Sequence, residues 1–146
     1  VTSLINSTYS YISGIDDEAQ VQIAWYLDVH VTDSISQDVP SADVTAYYEN
    51  GAIANSKLTA TNGWARLILN EKTMNDTGTY PLGNYTIEAI YGIYSSNTTT
   101  NITGNKQLTI TLGFIIPEFP QTLMIPIFMI ITLLAATMYK RVRNHY

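Results

Sequence analysis

Twenty-one consecutive residues, Phe119 to Tyr139, carry no charge. As a helix they would reach roughly 31 Å at ~1.5 Å per residue, and a bilayer's hydrocarbon core is about 30 Å thick. A surface helix of a small soluble domain keeps a polar stripe. Here the few polar residues, Gln121, Thr122, Thr132 and Thr137, are scattered instead. Three basic residues, Lys140, Arg141 and Arg143, follow at once, as at the cytoplasmic end of a stop-transfer segment. The run therefore predicts one C-terminal transmembrane α-helix over 119–139. Residues 140–146 form its basic cytoplasmic tail, 115–118 its juxtamembrane approach, and everything upstream lies outside the cell. Pro126 is expected to bend the helix or open its first turn, which membrane helices tolerate. The run sits at the wrong end to be a signal peptide. The chain begins Val1-Thr2-Ser3 without a Met and reads as the C-terminal part of a longer exported protein.

This topology divides the charge. Residues 1–118 hold all 12 acidic residues and four basic ones, Lys57, Arg66, Lys72 and Lys106. An acidic exterior of this kind argues against nucleic-acid binding, which needs a basic footprint. There is no cysteine, so neither a disulfide framework nor a thiolate metal site is available. Five N-x-[ST] sequons, at Asn6, Asn75, Asn84, Asn97 and Asn101, are glycosylation candidates. All five fall on the side that the basic tail assigns to the exterior.

Between the polar start and the apolar end the chain alternates with period two, the mark of strands with one buried face. Residues 1–20 read as a linker or the end of an upstream domain. In 25–32, Trp25, Leu27, Val29 and Val31 share a face opposite Tyr26, Asp28, His30 and Thr32. Val44, Ala46 and Tyr48 share a face in the next run, and Asn50-Gly51 marks a hairpin. A second pair, Asn62-Gly63, precedes the alternation of Ala65, Leu67 and Leu69. Residues 72–84 read as a long loop, followed by Tyr85, Ile87, Ala89 and Tyr91, then by Leu108, Ile110 and Leu112. Short strands at even spacing with turn residues between them predict an all-β fold. The expectation is an antiparallel β-sandwich of about seven strands over 21–114. Its core is predicted to hold Leu27, Val29, Val44, Leu67, Leu69, Ile87 and Ile110.

Three quoted stretches carry a resemblance. "VPSADVTAY" at 39–47, "TATNGWARLIL" at 59–69 and "GNYTIEA" at 83–89 resemble carboxypeptidase regulatory-like domains and related prealbumin-like or Ig-like sandwiches. The likeness covers roughly residues 23–112 and implies a spacer, an adhesive unit or an accessory domain. The tail, "IPEFP" followed by an apolar run and "KRVR", is similar to archaeal PEF-type C-terminal sorting signals. In that family the motif, here Pro117, Glu118 and Phe119, is handled by a membrane-embedded archaeosortase and the helix is discarded. Permanent anchor and processed signal both stay open. Together with the sequons and the acidic exterior, the tail looks like that of a glycosylated archaeal cell-surface protein.

Chemistry is sparse. His30 and His145 lack the spacing of a zinc site such as HExxH, no Ser stands in GxSxG, and no phosphate-binding glycine loop is present. "TDSISQD" at 32–38 offers oxygens, but it lacks the spacing of an EF-hand calcium loop. Its aspartates, with Asp43, read as solvated turns. No catalytic residue, cofactor or metal is expected. Among 11 tyrosines, Tyr26, Tyr47, Tyr91 and Tyr94 could line a strip for carbohydrate or a partner protein, although packing is the commoner use. The leading function is therefore a non-enzymatic, membrane-anchored surface module, a stalk, spacer or adhesive unit for an upstream extracellular region. Its partners would be membrane lipid, with an archaeosortase, a surface protein or carbohydrate as further candidates. The alternative is an accessory domain of a surface hydrolase whose catalytic domain lies upstream.

Overall fold

The structure, a computed structural model, describes residues 1–9, 12, 14–116, 126, 128–135 and 139. The chain divides into two compact units, Val1–Ile116 and Pro117–Tyr146.

The first unit is all β. Its strands are β1 (Thr2–Ile5), β2 (Val21–Thr32), β3 (Asp43–Tyr48), β4 (Ile53–Leu58), β5 (Trp64–Asn75), β6 (Gly78–Pro81), β7 (Asn84–Tyr91), β8 (Tyr94–Asn101) and β9 (Lys106–Thr111). They form two sheets. One runs β1-β2-β5-β6, with β9 also paired to β2; the other runs β4-β3-β7-β8. The inward residues of both sheets share one core. Leu27, Val29, Leu67, Leu69 and Ile110 come from the first sheet, and Val44, Ala46, Tyr85, Ile87 and Ala89 from the second. All seven predicted core residues are buried. Tyr85 spans the layers, donating its hydroxyl to the Asn70 carbonyl at 2.7 Å, so a polar tip inside the core has its partner. Val39 and Ile102, in connections rather than strands, are fully buried as well.

The described residues contain nine strands rather than about seven, and two ladders are parallel. β1 and β9 both run parallel to β2 along one edge, β1 against Val21–Ala24 and β9 against Leu27–Thr32. The chain reaches β9 from the other sheet, so it is free to enter in either direction. A hairpin would have imposed antiparallel pairing. Asn105 fills the gap between β1 and β9: its Oδ1 accepts from the Tyr26 amide, and its Nδ2 donates to Asn6 Oδ1.

Two stretches differ from the sequence reading. Residues 2–5, inside the expected linker, form β1. Residues 72–81, read as loop, extend β5 and turn through Asn75 to Gly78 into β6. That hairpin has no deeply buried residue. With neither face sealed, no apolar alternation was needed, and periodicity could not reveal it. β8 is similar: a Thr-rich edge paired along its whole length to β7.

The pairings set two ends. β2 starts beside Thr2, the β3–β4 and β5–β6 turns, and the β6–β7 and β8–β9 connections. β2 finishes beside the 33–38 loop, the β7–β8 tip, the β4–β5 turn and the outgoing residues 112–116. The chain thus enters at one end, here termed the entry end, and leaves at the other, the exit end.

In the second unit residues 128–135 are helical, and Thr132 Oγ1 donates to the Phe128 and Met129 carbonyls. Among the described residues no helix is long and apolar enough to cross a membrane. The predicted span 119–139 is described only at 126, 128–135 and 139. Pro117, Glu118, Phe119, Lys140, Arg141 and Arg143 lie outside the described residues.

Candidate functional site

At the entry end, the β3–β4 turn and the β6–β7 connection leave a shallow groove of about 590 Å³. Tyr48, Glu49, Asn50, Leu82, Asn84 and Asn101 line it. Local chemistry explains its walls. Gly51 takes φ +80° and Asn50 Oδ1 accepts the Ala52 amide, closing the turn tightly; a φ of that sign suits glycine. Gly83 lets the backbone approach Ile102, since a Cβ there would stand 2.8 Å from the Ile102 carbonyl oxygen.

Two sequon asparagines meet on this groove. Asn84 and Asn101 are cross-strand partners on β7 and β8. Asn101 Nδ2 donates to Asn84 Oδ1, and Asn84 Nδ2 donates to Glu49 Oε1 at 2.8 Å. A second depression of about 380 Å³ shares Glu49, Asn84 and Asn101. One carboxylate and two carboxamides provide donors and acceptors for a hydroxyl-rich ligand. They do not include a nucleophile activated by a base.

The other sequons lie apart. Asn75 closes the β5–β6 turn, its Oδ1 accepting from the Thr77 amide, the Thr77 hydroxyl and the Gly78 amide. Asn6 is tied to Asn105. Asn97 is exposed in mid-β8 opposite Glu88. Spacing alone could not reveal that Asn84 and Asn101, 17 positions apart, share one hydrogen bond. Nor did it single out Glu49.

The four tyrosines read as a strip occupy three separate places. Tyr26 lies under the Arg66 guanidinium, 4.8 Å from its ring centre, on the outer face of the first sheet. Arg66 also makes a two-pronged pair with Asp28, at 2.7 and 2.9 Å, and holds that carboxyl below its usual range. Tyr47 donates to Glu88 on the second sheet; burial and that carboxylate push its phenol up. Tyr91 and Tyr94 stack on Phe114 at the exit end.

His30 stacks flat on Trp64, with centroids 4.6 Å apart, and its Nε2 meets Asp38 Oδ1 at 2.6 Å. Among the described residues no group of three His, Cys, Asp or Glu side chains could hold a metal ion. The three loop aspartates are engaged separately: Asp38 with His30, Asp43 with the Thr45 and Ser56 hydroxyls, and Asp33 with backbone amides.

Asp33 departs most from the solvated turn expected of it. It is 1% exposed. Oδ1 accepts from the Ile35 and Gln37 amides, and Oδ2 from the Ile116 amide at 2.8 Å. Burial alone would raise its pKa, but the three amides outweigh it and hold the carboxyl below its usual range; donors to the charged form act in that sense. Its position carried a signal. Trp25, Leu27, Val29 and Val31 point inward, and Asp33 continues that parity.

No family model matches the chain, and no curated protein matches it. Among solved structures it is similar to the Bacillus anthracis TIE protein, at 17% identity and a TM-score of 0.49. The match covers 63% of this chain and 17% of that one.

Proposed function

We propose that the chain is a membrane-anchored cell-surface module, without catalysis of its own, that spaces or displays an upstream region above the bilayer. The apolar C-terminal unit carries this reading. Phe128, Met129, Ile130, Ile131, Leu133 and Leu134 lie on every side of the helical stretch, and each is 56–63% exposed. A helix apolar all round needs an apolar surrounding, and lipid supplies it. The uncharged run 119–139 and the following Lys140, Arg141 and Arg143 give the length and the orientation, with residues 1–118 outside and 140–146 inside.

The spacer role draws on the in-line path of the sandwich. Entry and exit sit at opposite ends of β2, whose 12 residues span about 40 Å at ~3.3 Å each. The resemblance to carboxypeptidase regulatory-like and Ig-like sandwiches favours the same role. The sequons at the entry end, Asn75, Asn84 and Asn101, suit a glycosylated outward surface on an archaeal cell. Pro117, Glu118 and Phe119 fit a PEF-type signal, in which an archaeosortase would replace the helix after insertion.

The test is the state of the mature C-terminus in native membranes. Intact protein that resists alkaline extraction and ends at Tyr146 is an anchored module. Protein ending near Glu118 and carrying a lipid is a sorted one. Full-length protein recovered without detergent would defeat both.

A further inference from the structure

The exit end carries an apolar patch that no part of the sandwich covers. Ile93, at the β7–β8 tip, is 92% exposed. Beside it Tyr91 and Tyr94 stack on Phe114, with ring centres 5.5 and 4.8 Å apart. Ile35 and Ile115 are 53% and 57% exposed. Hydrogen bonds hold the patch in one shape. The Ser34 amide donates to the Phe114 carbonyl at 2.8 Å, and the Ile116 amide donates to buried Asp33. Segments 34–37, 89–105 and 107–117 contain no charged residue. A patch of this kind, apolar and rimmed by polar residues, marks an interaction surface.

Chain continuity names its occupant. Only Pro117 and Glu118 separate Ile116 from the uncharged run that starts at Phe119. An extended chain covers at most about 3.5 Å per residue, so Ile116 and Phe119 can be no more than about 10 Å apart. The Asp33 clamp removes slack on the sandwich side. We infer that the exit end rests on the bilayer surface, with Ile93 and Ile115 dipping into the interface and Tyr91 and Tyr94 at headgroup level. Tyrosine, with an apolar ring and a polar tip, belongs at that depth. The inference rests on the anchored reading and extends it: the exit end is itself a lipid-contacting surface. The charged and amide-rich groove then faces outward.

The test uses the full chain in phosphatidylcholine vesicles. The chain has no cysteine, so Ile93→Cys and Asn50→Cys each accept one environment-sensitive fluorophore, at the exit and entry ends. Sedimentation with the vesicles after alkaline wash reports insertion separately from docking. The expected result is a blue-shifted Ile93→Cys label, quenched by nitroxide placed near the lipid headgroup and shielded several-fold from aqueous iodide. The Asn50→Cys label should show the reverse. Vesicle-bound protein with both labels equally open to iodide overturns the docking and leaves the anchor standing. A tip shielded from iodide yet untouched by nitroxide lipid overturns it in favour of a second copy of the chain. Protein that washes off the vesicles overturns the anchored reading and the docking with it.

Discussion

The two ends of this sandwich are built on the same strands and have opposite surfaces. Both are capped by an Asn-Gly turn, Asn50-Gly51 at the entry end and Asn62-Gly63 at the exit end. In each the asparagine side chain accepts the amide two residues on. The entry turn is open: a Cβ on Gly51 would meet nothing within 4 Å. The exit turn is packed: a Cβ on Gly63 would stand 2.8 Å from the Val31 carbonyl oxygen. Around the first lie Glu49, Asn84 and Asn101; around the exit lie Ile93, Tyr94 and Ile115. The core constrains only inward side chains, so loop residues at either end are free to serve different neighbours. That is how one sandwich can present water-loving chemistry at one end and an apolar foot at the other.

The largest effect should come from the shared core. Leu67→Ala empties a fully buried site and should cost about 2–5 kcal/mol, lowering the denaturant midpoint of the full chain in detergent. The two tryptophans report different halves, Trp25 bonded to Glu71 and Trp64 stacked on His30. Single-tryptophan variants should lose their signals together. Separate transitions would mean that the ends are independent and the comparison is wrong at its root.

The turns come next. Gly51 and Gly63 both hold positive φ, at +80° and +70°. Alanine at Gly51 should cost about 1–2 kcal/mol for the left-handed conformation. Alanine at Gly63 should cost about 1–3 kcal/mol for conformation and more for the carbonyl it meets. Equal losses in urea titration would show that the exit end is no tighter than the entry end.

Acid should loosen the exit end first. The folded Asp33 carboxyl is held below its ordinary value of 3.8. Its contribution is complete above that value and is lost as pH falls through the lower, folded value. Protonation frees the Ile116 amide and unclamps the outgoing residues 112–116. Asp33→Asn should flatten the acid limb of the stability profile. It should also raise amide hydrogen exchange at Ile116 already at neutral pH, with exchange at Ala52 unchanged. An unchanged acid limb would remove Asp33 from that role.

The smallest effect on stability, and the sharpest on surface chemistry, is glycan occupancy in an archaeal host. Asn97 is exposed and its side chain makes no hydrogen bond among the described residues, whereas the amide nitrogens of Asn84 and Asn101 are committed. Mass spectrometry should find Asn97 the most occupied of the three. Preferential modification of the Asn84–Asn101 pair would show that acceptors are chosen before β7 and β8 pair.

Period-two alternation was enough to read β2, β3, the first half of β5, β7 and β9, because a half-buried strand must alternate. The core residues followed from the same parity. β6 and β8 escaped it because they are edges, held by backbone hydrogen bonds that any side chains allow, and the second half of β5, flanked by β2 and β6, escaped it because neither of its faces is sealed. The parallel placement of β1 and β9 escaped it for a related reason: the backbone ladder on β2 accepts either direction.

The sequence by itself determined a β-rich body, its inward residues, two Asn-Gly turns, the confinement of every acidic residue to 1–118 and an uncharged C-terminal run. Each of these is local, written in spacing or composition. Only the tertiary structure decided that Asp33 is a buried clamp, that Asn84 bonds Asn101, and that Tyr91 and Tyr94 stack on Phe114. Those facts join residues from 17 to 83 positions apart, and such pairs meet only after the two sheets have closed on one core.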